Sequence, residues 1–350
     1  MQKASELGLL ALLCGSLAGC GEGFDSPSKV QGLRAFAVRA EPASGVPGQS
    51  ATLELLRGDR QEPDGEPERE VEVAWLGGCH APPSRQFFDC YPLLVEIAKR
   101  LEPRVLDTPE ERFPSGIFGI GERFQIEIPE DVLERTPRLE TDPVHFAPSF
   151  TFFAVCAGEL VPRPDLGDRV PLGCVSKGTG EPVSKDDFVI GFSTLYTLEG
   201  AANENPELTG LRFDGGLVTE ASCEADTDCE PLEGAPELEM ACAPSSRCAP
   251  VVPVCAEGCP GHQVLPLIES SSAERLPNED YSEVVWASFF ANAGEFAKEA
   301  QLVNDRTSGW VSEFASKWKP PKRPGTARIW VTVNDQRGGA AWSTFDVIVR

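Results

Sequence analysis

The chain has 350 residues, 12 cysteines and a formal net charge of -24 at pH 7. So acidic a protein repels phosphate backbones and anionic lipid headgroups, which excludes nucleic acid as a partner and excludes membrane binding through basic residues. Glycine and proline number 33 and 31, an abundance typical of strands and turns rather than helices.

The first twenty residues have the organisation of an export signal. Lys3 precedes the apolar run Leu7 to Leu13, which is too short to span a bilayer. The segment then closes with Leu17-Ala18-Gly19-Cys20, which resembles the lipobox of bacterial envelope lipoproteins. The resemblance implies cleavage between Gly19 and Cys20, and a Cys20 thiol that carries lipid such as palmitate. The alternative interpretation is an ordinary secretory signal with a chance cysteine.

The residues around the cleavage point also bear on location. Gly21 follows the lipidated cysteine where an aspartate would imply inner-membrane retention, so the same resemblance implies the outer membrane. Residues 1–19 are therefore expected to be a signal peptide, and residues 20–29, which are small and polar, a flexible tether. The rest of the chain is long enough for two domains, each with its own core.

Alternating apolar and polar residues predict a first β-sandwich domain over residues 30–200. We expect its strands at residues 32–40, 50–56, 70–76, 123–128, 149–156 and 187–198. The glycine-containing run 116–121 is expected to be a loop, because it lacks the spacing of a dinucleotide-binding fingerprint. One short helix is expected after Cys90, where apolar residues recur at intervals of three and four: Leu93, Leu94, Ile97, Ala98 and Leu101.

A second β-sandwich domain is predicted over residues 203–350. Residues 203–213 are expected to be a linker running into its first strand, which Asp214-Gly215-Gly216 turns. Later strands are expected at residues 283–290, 311–316, 327–333 and 341–349. Residues 335–339 are rich in glycine and join the last two strands, which predicts a β-hairpin.

The two domains share a short pattern. Glu72-Val73-Ala74-Trp75 and Glu283-Val284-Val285-Trp286 each lie midway through their domain. A tryptophan on a middle strand, with paired strands closing the domain, resembles the immunoglobulin-like β-sandwich, where it fills the space between two sheets. The predicted fold class is therefore mainly β, with two immunoglobulin-like β-sandwich domains. A generic sandwich is the alternative, since no cysteine precedes Trp75 on an earlier strand.

The cysteines predict disulfides. Once Cys14 leaves with the signal and Cys20 is acylated, an even number of cysteines is left, which in an exported protein favours disulfides over free thiols. The ten candidates are Cys79, Cys90, Cys156, Cys174, Cys223, Cys229, Cys242, Cys248, Cys255 and Cys259.

Spacing suggests two of the pairs, Cys79 with Cys90 and Cys156 with Cys174. The last six cysteines lie in a small disulfide-rich insert at residues 221–262, which is rich in proline and glycine and too poor in apolar residues to fold without cross-links. We interpret this insert as a rigid surface loop. The alternative is a recognition knob that projects from the second domain.

No metal or cofactor is expected. Cys259 and His262 offer only a weak zinc pattern, because a structural zinc site needs four ligands that usually come as two close pairs. Calcium is the alternative, with oxygen ligands from Asp226 and Asp228 or from residues 278–280. The order of an EF-hand loop fails after Asp228, so an ordinary acidic surface is the expected reading.

Catalysis has little support in the sequence. The three histidines, His80, His145 and His262, lie far apart, and neither G-x-S-x-G nor H-E-x-x-H occurs. We therefore expect a protein that is not an enzyme. An envelope hydrolase with a site built from scattered carboxylates is an alternative.

Together these features predict a non-catalytic binding or scaffolding module, anchored by lipid and partnered by an envelope protein or a glycan. A second alternative is a glycan- or solute-binding lipoprotein that stacks sugars on aromatic rings. Such a site would use tryptophans that crowd the last fifty residues, although core packing competes for the same side chains: Trp310, Trp318, Trp330 and Trp342.

Overall fold

A computed structural model describes residues 26–60, 69–101, 113–140, 142, 144–166, 169–275 and 281–350. The predicted signal peptide, the predicted lipidation site with Gly19 and Cys20, and most of the predicted tether lie outside these residues. The described chain is mainly β, with one α-helix and strands arranged in several antiparallel sheets. None of its helices is long and apolar enough to cross a membrane.

The N-terminal unit consists of strands that pair only with one another. A three-stranded sheet has the order β1-β2-β5, a four-stranded sheet has the order β4-β3-β6-β9, and β7 and β8 form a hairpin. The strands are β1 (Arg34–Glu41), β2 (Ser50–Gly58), β3 (Glu72–His80), β4 (Phe118–Ile120), β5 (Arg123–Glu127), β6 (Phe146–Cys156), β7 (Glu159–Pro162), β8 (Leu172–Val175) and β9 (Phe188–Leu198). The helix α1 covers Tyr91–Arg100.

Two facing sheets enclose the first core of this unit. Alternate residues of β2 are buried, as period-2 patterning predicted, and Leu53 is 1% exposed. Trp75 is fully buried between the sheets, where it stacks on Phe124 with 5.8 Å between ring centroids and donates its indole N–H to the Gly121 carbonyl at 2.7 Å. Full burial of a large apolar side chain contributes about 1.5–3 kcal/mol to the free energy of unfolding. Trp75 is therefore a principal stabilising residue of this core.

The four-stranded sheet is also covered on its other face. Helix α1 and the β7–β8 hairpin pack there against Leu76 and Phe152, so that β6 is buried on both faces along nearly its whole length. Leu94, Ile97 and Ala98 form the buried side of the helix. Leu93 was expected on that side and instead is 38% exposed, because it lies one residue, about 100°, around the helix from the buried Leu94.

Two disulfides fasten this outer layer to the sheet. Cys79 at the end of β3 is joined to Cys90 at the start of α1, and Cys156 at the end of β6 is joined to Cys174 on β8. These are the two pairs that sequence spacing suggested. Each cross-link therefore ties a small covering element to a central strand.

The C-terminal unit is built from two facing sheets with the orders β11-β10-β14-β19-β16 and β12-β13-β21-β20-β15-β17-β18. We refer to the second as the seven-stranded sheet. The strands are β10 (Leu208–Phe213), β11 (Gly216–Val218), β12 (Met240–Cys242), β13 (Cys248–Val252), β14 (His262–Ile268), β15 (Val285–Ala291), β16 (Glu295–Phe296), β17 (Ala300–Asp305), β18 (Gly309–Trp310), β19 (Ser316–Lys319), β20 (Gly325–Asp335) and β21 (Ala340–Val349).

The core of this unit is centred on Phe213, Phe289 and Trp318, all of them fully buried between the two sheets. Trp286 does not fill this space, contrary to the expectation from its resemblance to Trp75. On β15 the core positions are Val285, Ala287, Phe289 and Ala291, so Trp286 points to the opposite face of the sheet. The shared four-residue pattern is therefore shifted by one residue in the second unit, so that its tryptophan points away from the core whereas Trp75 points into it.

Two local expectations were wrong. Residues 311–315 are not a strand. The strand nearby is β19, in which Ser316 and Trp318 are buried and the alternate residues Lys317 and Lys319 are exposed. The run 116–121 contains the short strand β4, which pairs with β3 through Phe118 and Ile120. A β-carbon on Gly119 would collide with the Phe124 ring, so this glycine allows close packing and does not mark a loop.

The disulfide-rich insert contains strands, contrary to the expectation of a surface loop. Its hairpin, β12 and β13, joins the edge of the seven-stranded sheet, because β13 pairs in parallel with β21 at Val251 and Val252. Ala241, Ala249 and Ile348 form a small core beneath it. The cross-links are Cys223–Cys242, Cys229–Cys248 and Cys255–Cys259.

Candidate functional site

The strands β1 and β9 lie side by side in the N-terminal unit, but the backbone hydrogen bonds between these two segments are made by residues that flank β1. Leu33 N–H donates to the Asp186 carbonyl at 2.8 Å before the two strands begin, and Gly45 N–H donates to the Tyr196 carbonyl at 2.9 Å after β1 ends. Both contacts follow the same chain direction, so the two strands run parallel. Between these contacts the strands separate and leave a gap at the open side of the two sheets.

The gap forms a cleft of about 440 Å³. One wall is Ala35 to Val38 of β1, and the other is Phe192 to Thr194 and Tyr196 of β9, with Phe153 between the walls. The C-terminal unit closes the cleft with Trp286 and with the turn that joins β20 to β21. Trp286 therefore lies at the junction of the two units, although the strand pattern predicted that it would lie in the core of the second unit.

Aromatic contacts hold the two units together next to the cleft. The Phe36 ring stacks on Phe290 with 4.5 Å between centroids and lies 5.2 Å from Trp330. The Arg39 guanidinium lies 4.7 Å from the centroid of Trp342, a contact worth about 0.5–2 kcal/mol. The outer face of the seven-stranded sheet is thus the surface on which β1 rests.

Two asparagines of the segment that connects the units, Asn203 and Asn205, form hydrogen bonds to both units. The backbone N–H of Asn203 donates to Ser44 Oγ at 3.0 Å, and its side-chain amide donates to Asp335 Oδ2 at 3.1 Å. The side-chain oxygen of Asn203 has no hydrogen-bond partner among the described residues. Asn205 donates to the Ala40 carbonyl at 2.7 Å and accepts from Ala340 N–H at 2.9 Å. Sequence reasoning missed both residues, because their partners are far away along the chain.

A buried ionic group fixes the turn that closes the cleft. The Arg337 guanidinium donates to both carboxylate oxygens of Glu283, at 2.8 and 2.9 Å, and also to Glu274. Burial raises the pKa of Glu283, and the bonds from Arg337 act in the opposite direction without reversing the shift. Asp335 accepts from the backbone N–H groups of Arg337 and Gly339 at 2.7 and 2.9 Å. The turn is therefore held rigidly against the connecting segment.

These contacts leave the cleft without an available charge. Asp335 is the only charged residue among those that line it, and its oxygens are occupied by the two backbone N–H groups and by Asn203. The cleft thus offers apolar side chains and backbone groups to a ligand, and it lacks a counter-ion for a charged one.

The three histidines have structural partners and do not come together into one site. His80 Nδ1 lies 2.9 Å from Ser149 Oγ, but Ser149 is 1% exposed and so cannot reach a substrate. Burial, assisted by the charge of Arg135, lowers the pKa of His80 to about 4. His145 bonds the Thr136 carbonyl at 2.8 Å, and His262 lies 2.6 Å from Asp214, where it locks the β10–β11 turn.

The candidate metal ligands are also engaged. Asp226 accepts from Cys242 N–H, while Asp228 accepts from Glu224 and Ala225 N–H, so both carboxylates cap backbone groups. Residues 278–280 lie outside the described chain. The sulfurs of Cys223, Cys229 and Cys248 approach within 4.8 Å of one another, but each belongs to a disulfide and offers no thiolate to a metal.

The C-terminal tryptophans do not share an exposed face. Trp318 is fully buried in the core, Trp330 is 5% exposed beneath Phe36, and Trp342 lies under Arg39. Trp310 is the most exposed of the four, at 38%, and packs edge-on against Phe314. A sugar-stacking platform made of these rings therefore has no geometric basis in the described chain.

Comparisons with known proteins assign no family. No protein-family model matches the chain, and no curated protein sequence matches it. Among solved structures, a point mutant of Salmonella alpha-2-macroglobulin aligns over 93% of this chain at 11% identity, with a TM-score of 0.19. This chain spans 17% of that chain. A similarity so low carries no argument about fold or function.

Proposed function

We propose that this protein is a non-catalytic binding module of the bacterial cell envelope, carried on the outer membrane by lipid at Cys20. The observation that supports a binding role is the cleft between the two units. It is lined by Phe192, Trp286 and unpaired strand edges, and its closing turn is fixed by the buried Arg337–Glu283 pair. Rigid walls lower the entropy lost on binding.

Other features support the remaining parts of the proposal. Five disulfides fit an oxidising compartment outside the cytoplasm, as the export signal requires. The facing sheets are compatible with immunoglobulin-like domains, which commonly present ligand sites at their junctions. The histidines serve as structural residues, which favours binding over catalysis.

The proposal is tested by filling the cleft. Ser193 lines it, so Ser193→Trp places a large ring inside, whereas Thr179→Trp adds the same ring to an exposed turn. Cells that carry wild type or either variant are treated with a short chemical cross-linker, and the adducts are identified by mass spectrometry. We expect wild type and Thr179→Trp to yield the same stoichiometric adduct and Ser193→Trp to lose it. An adduct that persists in Ser193→Trp would show that the cleft is not the binding site.

A further inference from the structure

Strand β9 differs from the other edge strands of the described sheets. Strands β4, β11, β12, β16 and β18 span two or three residues, and β7 and β8 span four, while β1 and β5 carry charged side chains. In contrast, β9 has eleven residues, FVIGFSTLYTL, without a charge or a proline. Proteins usually protect long edge strands with charges, prolines or bulges, because an open edge recruits other strands. Strand β9 has none of these and pairs with β6 in unbroken register.

The backbone of β9 presents a row of open hydrogen-bonding groups. Residues along an antiparallel strand direct their N–H and C=O groups to alternate sides. The Tyr196 carbonyl faces away from β6, since it accepts from Gly45 N–H. Thr194, Phe192 and Ile190 therefore face the same way, and none of their backbone groups has a hydrogen-bond partner among the described residues.

The opposite wall of the cleft repeats this feature. The Ala40 carbonyl of β1 faces away from β2, toward the Asn205 amide. By the same alternation Val38, two residues earlier, directs its N–H and C=O groups into the cleft. An extended segment between β1 and β9 would thus find backbone partners on both sides. Gly338 lies against the Thr194 carbonyl, so the open part of β9 runs from Phe188 to Phe192. This part is about 13 Å long, enough for five residues.

Side chains beside the open edge are suited to the same guest. Ile190 and Phe192 are 41% and 43% exposed, which is unusual for large apolar residues within a strand. Phe192 stacks on Phe87 with 4.5 Å between centroids, and Phe88 next to it is 51% exposed. Alternate side chains of an added strand would cover this patch as cross-strand neighbours.

Charge distinguishes between two possible occupants of the open edge, a second copy of this chain and a segment of a different protein. A second copy of this chain would bring one net charge of -24 against another, and such like-charge repulsion opposes close association. The β9 strand and the available surface of the cleft are neutral. Beyond the cleft, Phe188 and Ile190 border a second groove that Arg163, Arg169 and Lys185 also line. A neutral, apolar segment of a different protein meets no repulsion and needs no counter-ion in the cleft.

We infer that the cleft binds an extended, uncharged peptide segment of a partner protein, which pairs with the open edge of β9 as an added strand. This inference rests on the proposed binding function and specifies its ligand class. Backbone hydrogen bonds would supply affinity, and the patch of Ile190, Phe192 and Phe88 would select apolar residues at alternate positions.

The test begins with a ligand of defined chemistry. Eight-residue peptides displayed on phage are selected against the complete protein, and the enriched sequences are synthesised as fluorescent probes. We expect sequences with apolar residues at alternate positions and no net charge. Methylation of the backbone nitrogens that face β9 should weaken binding at least about tenfold, and methylation of the alternate set, which faces Val38 of β1, should weaken it by a smaller factor.

Matched protein variants locate the site. Ile190→Pro removes a backbone N–H that faces away from β6, and Ile190→Val is the control that retains this N–H. Ile190→Lys places a charge on the edge of β9 and leaves the backbone N–H in place. We expect Pro and Lys at this position to weaken binding at least about tenfold and Val to have little effect. Circular dichroism checks that each variant is folded, and the methylated probes test the same point on the wild-type protein.

Three results would overturn the inference. The first is that no peptide is enriched, and the second is that peptides bind regardless of methylation or of the residue at position 190. The third is concentration-dependent dimerisation that Ile190→Lys abolishes, which would identify a second copy as the guest. The binding function itself is judged separately: an in-cell adduct lost from Ser193→Trp but kept by Ile190→Lys would retain the cleft and reject strand addition.

Discussion

His80 shows how a single residue couples this fold to pH. Its ring is largely buried beside Ser149, and burial lowers its pKa from 6.5 to about 4. Between these two values the unfolded chain binds more protons at this site than the folded chain does. The free energy of unfolding therefore falls as pH drops from 6.5 to 4, by up to about 3 kcal/mol from this group.

The prediction is checked by thermal unfolding across this pH range. Glutamine does not titrate, so His80→Gln should unfold at a temperature that depends less on pH between 6.5 and 4 than that of wild type. The two proteins are compared at each pH, which cancels the contribution of the many carboxylates. Parallel profiles for the two proteins would contradict the assigned role of His80.

At the residue scale the sequence was a partial guide. It placed Trp75 in a core, because alternation along β3 sets the face to which each side chain points. It failed for Trp286, because the similar four-residue pattern there begins one residue out of phase with the alternation of buried and exposed side chains along β15. It could not reveal Asn203 or Asn205, since an asparagine connects the two units only when folding brings Ser44, Ala40 and the final hairpin beside it.

At the element scale, two covering elements depend on cross-links. The β7–β8 hairpin has only four residues in each strand, and the Cys156–Cys174 disulfide ties it to β6. A disulfide stabilises chiefly by restricting the unfolded chain, and a longer closed loop gives a larger effect. The sequence separation is 18 for this pair and 4 for Cys255–Cys259.

Removal of these two disulfides should therefore have unequal costs. We expect the double variant Cys156→Ser/Cys174→Ser to lose about 3 kcal/mol of unfolding free energy and Cys255→Ser/Cys259→Ser to lose about 2 kcal/mol or less. Urea denaturation followed by fluorescence measures both. Equal losses, or a larger loss for the shorter loop, would refute the chain-restriction argument for this protein.

The long elements were predictable and the short ones were not. Most long strands and the helix after Cys90 carry enough periodic residues to be recognised. Strands of two to four residues, such as β4, β7 and β16, contain too few positions to show a period. The hairpin of the insert escaped prediction for a different reason, because its stability depends on β21, about a hundred residues away.

At the scale of the whole molecule, we propose that the two units and their cleft are displayed on a short tether at residues 20–29. Lipid attachment at Cys20 is the part of the proposal that lies outside the described residues. Cys20→Ser should move the protein from the membrane fraction to the soluble fraction, while Cys14→Ser, inside the signal, should leave it on the membrane. Cell fractionation with immunoblotting decides between them. A Cys20→Ser protein that stays with membranes would refute attachment by lipid alone.

The cleft could not be foreseen from the sequence. Its walls come from β1, β9 and the final hairpin, and its width depends on how far two parallel strands separate between hydrogen-bonded ends. No local pattern encodes such a distance. The apolar, uncharged run of β9 was visible, but its open edge became apparent only from the order of strands in the sheet.

The most direct test of the binding role is the affinity of the captured partner for three purified proteins: wild type, Ser193→Trp and Thr179→Trp. We predict equal affinity for wild type and Thr179→Trp, and a loss of at least about a hundredfold for Ser193→Trp, because the added ring occupies the space the ligand needs. Equal affinity for all three folded proteins would contradict the account and move the binding surface away from the cleft.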